Sequence, residues 1–128
     1  MSAVQTAVFA AISAALPAGT KVYDHVPARL SEDAWDGSPL VQIADITETQ
    51  VQGKLRRVTV LVIVWSAERS REKAQDIRET IIGALHERAL PPQPPAVLST
   101  PFLVSTVDGA LGETIINRST ASFTLFVQ

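Results

Sequence analysis

The sequence predicts an α+β domain: a two-layer sandwich of a mainly antiparallel sheet with two helices on one face, in the order α-β-β-β-α-β-β. Three observations lead there. Two stretches carry apolar residues at helical spacing, Val4 to Leu16 and Ala74 to Leu85. Two β-rich runs, 40–47 and 55–65, flank a short polar connection. The C-terminal run 114–128 alternates between apolar and polar residues. Antiparallel hairpins covered on one side by helices form two packed layers around one core.

Each element has its own signal. Helix 1 is expected over Ala3–Leu16, where Val4, Ala7, Val8, Ala11, Ile12, Ala15 and Leu16 follow the i, i+3, i+4 pattern. Pro17 and Gly19 stop it. The stretch is read as a helix rather than a secretory leader. It has no basic residue before Lys21, and Ser2, Gln5, Thr6 and Ser13 interrupt the apolar run. KVYDHV, 21–26, is a short strand. PARLSEDAWDGSP, 27–39, is a loop, rich in Pro, Ser, Asp and Gly. LVQIADIT, 40–47, and LRRVTVLVIVW, 55–65, are strands joined by a turn over 48–54 around Gly53.

Helix 2 is expected to start at Ser66 or Ser70, either of which can accept a first-turn N–H. Its stripe is Ala74, Ile77, Ile81, Ala84 and Leu85, and it ends before PPQPP, 91–95, which cannot continue a helix. AVLSTPFLVSTV, 96–107, is a fourth strand whose Pro101 argues for an edge or a bulge. DGALGE, 108–113, is a turn, and 114–128 is the last strand. Ile115, Ala121, Phe123, Leu125 and Val127 lie on one of its faces, and Arg118, Thr120, Ser122 and Thr124 on the other.

The chain has 128 residues, one domain's worth, and 46% are hydrophobic, enough for a packed core. A net charge of −2 and a pI near 5.6 give no general attraction to nucleic acid or anionic membranes. No cysteine is present, so disulfides and thiolate metal sites are excluded. No apolar run is long enough for a transmembrane helix.

Motifs of chemistry are missing. WSAERS, 65–70, at the junction of strand and helix has no glycine for a phosphate cradle and no Lys-Ser/Thr pair. Bulky Trp65 before Ser66 rules against a nucleophile elbow. Asp24 and His25 are strand neighbours that point to opposite faces, so they form no dyad. His86 stands alone near the end of helix 2, and neither histidine has an i, i+4 partner for a metal. EDAWD, 32–36, lacks the ligand pattern of a calcium loop. No catalytic residue, cofactor or metal site is expected.

The third strand points instead to assembly. Val58, Val60, Val62 and Val64 make one unbroken apolar face. The other face begins with Arg57 and Thr59 and ends with Leu61, Ile63 and Trp65. Only one face can meet the helices, so Leu61, Ile63 and Trp65 are candidates for a subunit interface. Polar loop residues Arg29, Glu32, Asp33, Trp35, Gln50, Gln52 and Lys54 are candidates for partner contacts.

In this order and at this length, VYDHVP (22–27), SPLVQIAD (38–45), VIVWSAERSREKAQDI (62–77), ALHERAL (84–90) and DGALGETIINRSTASFTLFV (108–127) carry a resemblance. The sequence resembles the tail-completion or tail-terminator proteins of long-tailed phages and gene transfer agents, along nearly the whole chain. The PPQPP connector is not part of that pattern. The resemblance implies one domain over 1–128, no enzymatic activity and a homo-oligomeric ring, a hexamer, on the end of the tail tube. Its partners would be the tail tube protein and the head–tail connector protein, with DNA passing through the ring and no membrane involved. The protein would be assembled in the bacterial cytoplasm and reside in the virion. Two other readings stand beside it: a non-enzymatic protein-binding adaptor that forms no ring, and a small-molecule module or enzyme, which would need a pocket of convergent polar groups.

Overall fold

The structure is a computed structural model that describes residues 2–18, 20–23, 39–67, 72–111 and 116–128. Its elements are α1 (Ala3–Ala15), β1 (Lys21–Tyr23), β2 (Leu40–Gln52), β3 (Leu55–Ser66), α2 (Glu72–Leu85), β4 (Phe102–Leu111) and β5 (Ile116–Val127). They form an α+β fold with one five-stranded sheet in the order β1-β2-β3-β5-β4. All neighbours are antiparallel except β1 and β2, which are parallel. A parallel neighbour needs a crossover of about a dozen residues or more, and the long connection from Tyr23 to Leu40 supplies that length.

Helix α1 starts where Ser2 accepts the N–H of Gln5 at 3.1 Å. Its buried residues Val4, Ala7, Val8 and Ile12 follow the expected stripe. In α2, Ala74, Ile81 and Leu85 are buried, with Ile77 and Ala84 half-buried beside them. Helix α2 packs against the valine face of β3 and the odd face of β5, and α1 packs beside α2 over β1 and β2. Val58, Val60, Val62 and Val64 join Ala121, Phe123, Leu125 and Val127 in one core cluster with the helix stripes.

Several boundaries differ from the sequence reading. Ser66 does not cap α2. It pairs with Asn117 as the last residue of β3 and is fully buried. Ser70 lies outside the described residues, and α2 begins at Glu72. The expected turn 48–54 is mostly strand: β2 runs to Gln52, which pairs with Leu55. Gly53 has φ +56° at the first turn position, where a two-residue II′ hairpin calls for glycine. Strand β2 extends this way because the backbone ladder bonds continue through its polar positions.

The fourth strand starts later than expected. Pro101 offers no N–H, and its carbonyl accepts from Glu87 N–H at 2.8 Å instead of joining a ladder. Upstream, Leu98 makes only an isolated bridge to Val127. The strand then runs through Asp108 to Leu111, where a turn was expected. It is an edge strand with a bulge between Leu103 and Ser105, both of which Pro101 suggested.

Candidate functional site

The sheet face turned away from the helices can be read row by row from the registers. Ile63 lies between Gln42 and Thr120, and Thr120 pairs with Val107. Leu61 lies between Asp45 and Ser122, and Ser122 pairs with Ser105. Thr59 lies between Thr47 and Thr124, and Thr124 pairs with Phe102. These three rows hold one charged residue, Asp45. Hydroxyl and apolar side chains and the amide of Gln42 fill the rest. A surface this poor in charge is typical of the core of a protein interface rather than of a solvated face.

The three candidate interface residues of β3 have different surroundings. Leu61 and Ile63 are half-buried. Trp65 is 8% exposed, so it is not an open apolar side chain in the free subunit. Its Nε1–H donates to Oε1 of Gln42 at 3.0 Å, and Gln42 is itself buried. A buried indole N–H needs an acceptor, and the amide two rungs along the neighbouring strand provides one. Of the loop candidates, Gln50, Gln52 and Lys54 are exposed at the end of the β2–β3 hairpin. Gln50 Nε2 donates to the Gly53 carbonyl at 2.9 Å, and Arg56 pairs with Glu48 at 3.0 Å. A shallow, open depression there is lined by Gln50, Gly53, Lys54, Arg56 and Gln128. It has no convergent set of acid and base groups. Arg29, Glu32, Asp33 and Trp35 lie outside the described residues.

The helix side has a polar clasp that sequence reasoning missed. Asp108, expected in a turn, sits on β4 and accepts from Arg78 and Gln75 of α2 and from Ser119 of β5. Arg78 also pairs with Glu79 at 3.1 Å. Four residues far apart in sequence meet because β4 and β5 pair with Asp108 opposite Ser119 and α2 crosses above them. Burial by itself would raise the Asp108 pKa. The bonds from Ser119 and Arg78 outweigh it and hold the carboxyl below its usual value. Burial likewise works against the charge on Arg78, and its bond to Asp108 more than restores it.

A carboxylate with a lowered folded-state pKa stabilises the fold above its unfolded pKa, and that contribution is lost as pH falls through the folded value. Asp108→Asn is therefore expected to cost about 1–2 kcal/mol at neutral pH. The difference from the parent should shrink below about pH 4, the ordinary carboxylate range. Thermal melts of both proteins from pH 7 to pH 2 check this. A constant gap across that range would assign the effect to packing rather than charge.

His86 also has a structural place. Its Nδ1 accepts the N–H of Leu103 at 3.0 Å, and its ring meets Phe102 edge-on at 5.3 Å. Asp24 and His25 lie outside the described residues. Among the described residues no group of three or more His, Cys, Asp or Glu is placed to hold a metal. None of the described helices is long and apolar enough to cross a membrane.

No protein family and no curated protein matches the sequence. The fold does match solved structures. It is similar to a chain in the structure of the virion of a native gene transfer agent (GTA) particle, with a TM-score of 0.78. The alignment covers 97% of this chain and 93% of that one at 17% identity. At that identity the likeness is one of fold, and it spans both chains almost end to end.

Proposed function

We propose that this chain is a structural protein of a tailed virion or gene transfer agent particle, one that caps the tail tube as a ring and joins the tail to the head connector. The observation that carries the reading is the likeness of fold, over nearly the whole chain, to a component of a gene transfer agent virion. The sequence motifs quoted above point the same way. So does the sheet face turned away from the helices, where half-buried Leu61 and Ile63 sit in rows with one charge. Head-to-tail contacts that use two different patches close into a ring where the rotation between copies closes. In the proposed ring, a hexamer, the neighbouring subunit covers Leu61 and Ile63. Gln50, Gln52 and Lys54, together with the loop that holds Arg29, Glu32, Asp33 and Trp35, face the tube or the connector. The role needs no catalysis and no cofactor.

Removal of the gene from a particle-producing strain is the direct test. Electron microscopy is expected to show overlong tails or tails without heads. Particles with tails of normal length joined to heads would overturn the reading. The adaptor alternative is separated by stoichiometry: it places one or a few copies on the particle with no ring density at the end of the tube.

A further inference from the structure

We propose that the ring is held by strand pairing, with the β4 edge of one subunit joining β1 of the next so that the sheets run on from copy to copy. This rests on the ring reading above and adds to the face contact at Leu61 and Ile63 a second, separate contact at the sheet edges.

The edge has a bulge between Leu103 and Ser105 and one inward charge, Asp108, but it is ten residues long and carries apolar side chains in the open. Strand β4 is terminal in the sheet among the described residues. Edge strands of soluble proteins are normally kept short or protected by Lys, Pro or inward charges. Here Phe102–Leu111 contains no Lys, Arg or Pro. Its one charge, Asp108, is held by Arg78. Phe102, Val104 and Val107 are 49%, 61% and 56% exposed. With Phe126 and Val97 beside them, they make up most of the large apolar side chains exposed among the described residues.

The backbone says what kind of partner fits. Both the N–H of Phe126 and its carbonyl bond to Ser99, on the β4 side of β5. By the two-residue period of a strand, Thr124, Ser122, Thr120 and Arg118 face β4 as well. Their partners Phe102, Ser105, Val107 and Gly109 then point inward, and Thr106, Asp108 and Ala110 turn their N–H and C=O groups outward. The start of the strand is already occupied: Leu103 N–H donates to His86, and Pro101 C=O accepts from Glu87. From Val104 onward no backbone bond among the described residues takes up the outer side, and an extended backbone is the partner that satisfies alternating donors and acceptors.

The chain carries such a partner at its opposite edge. Among the described residues, strand β1 ends the sheet on the other side. Following the pairings, β1, β2 and β5 run one way and β3 and β4 the other. Copies related by rotation about an axis along the strands therefore bring β4 and the neighbour's β1 together antiparallel, the slightly more stable arrangement. The two edges differ, so the contact is head-to-tail and repeats. A β4-to-β4 contact would be self-complementary and stop at a dimer.

The absence of cysteine makes a clean test possible. Val107 and Lys21 both lie on the open face, opposite Thr120 and Leu40 respectively. Val107→Cys and Lys21→Cys are made in the full chain and treated with a short bis-maleimide. The two single variants mixed together should give a covalent dimer, and the double variant a ladder rising to the full ring. Each single variant alone should stay at 13.7 kDa. A ring by native mass spectrometry without cross-links in the mixture would overturn this contact and leave the ring reading intact. Cross-linking of Val107→Cys to itself would overturn it in favour of β4-to-β4 pairing. A protein that shows neither ring nor cross-link would overturn both.

Discussion

Val62→Asp is expected to unfold the protein. Val62 is 1% exposed at the centre of β3, between Ile43 on β2 and Ala121 on β5. The helices close over that face, and no cation stands among the core residues around it. A carboxylate placed there loses its water and gains no partner, in addition to the lost valine packing. The cost should be about 4 kcal/mol or more. Domains of this size hold roughly 5–15 kcal/mol in total. Circular dichroism should show a collapsed or strongly lowered melting transition. A variant that melts within a few degrees of the parent would mean that the valine face is not the core.

Ile63→Asp, one residue on, is expected to fold and to fail in assembly. Ile63 is half-buried on the opposite face, between Gln42 and Thr120. There the new carboxylate keeps contact with water. The loss of a half-buried β-branched side chain should cost about 1–2 kcal/mol, and the fold should persist. In the proposed ring the same charge would be desolvated at every repeated contact, which should block closure. Native mass should shift to the single subunit, and complemented tails should be overlong or unattached. If Ile63→Asp assembles like the parent, the open face around Ile63 is not the subunit contact. The pair of variants is informative because adjacent strand residues face opposite ways.

Much of this fold was legible because local chemistry and tertiary packing agree. Alternation along β5 identified Ala121, Phe123, Leu125 and Val127 as one buried face, and they are the core. Helical spacing found both stripes, and Ser2 is placed to cap α1. The misplacements fell where the sequence carries polar residues inside strands. Ser66, Gln50, Gln52 and Asp108 all resemble turn or cap residues. Each lies on a ladder whose bonds are made by backbone, whatever the side chain. The candidate interface was legible as an apolar face on β3, but not the share of it that the subunit uses itself. Trp65 looks as open as Ile63 until Gln42 is found two rungs away across the sheet.

By itself the sequence determined the order α-β-β-β-α-β-β, the one-sided character of the strands, and the lack of any motif for metal, nucleotide or nucleophile chemistry. These follow from residue type and spacing within a few turns or rungs. Tertiary structure alone decided that β1 lies parallel to β2, that β5 and not β4 stands next to β3, and that Asp108 meets Arg78, Gln75 and Ser119. The reason is physical. Periodicity tells which side of an element is apolar, but the choice of strand neighbours rests on contacts between residues distant along the chain. That choice leaves β4 at the edge of the sheet among the described residues, with Phe102, Val104 and Val107 exposed.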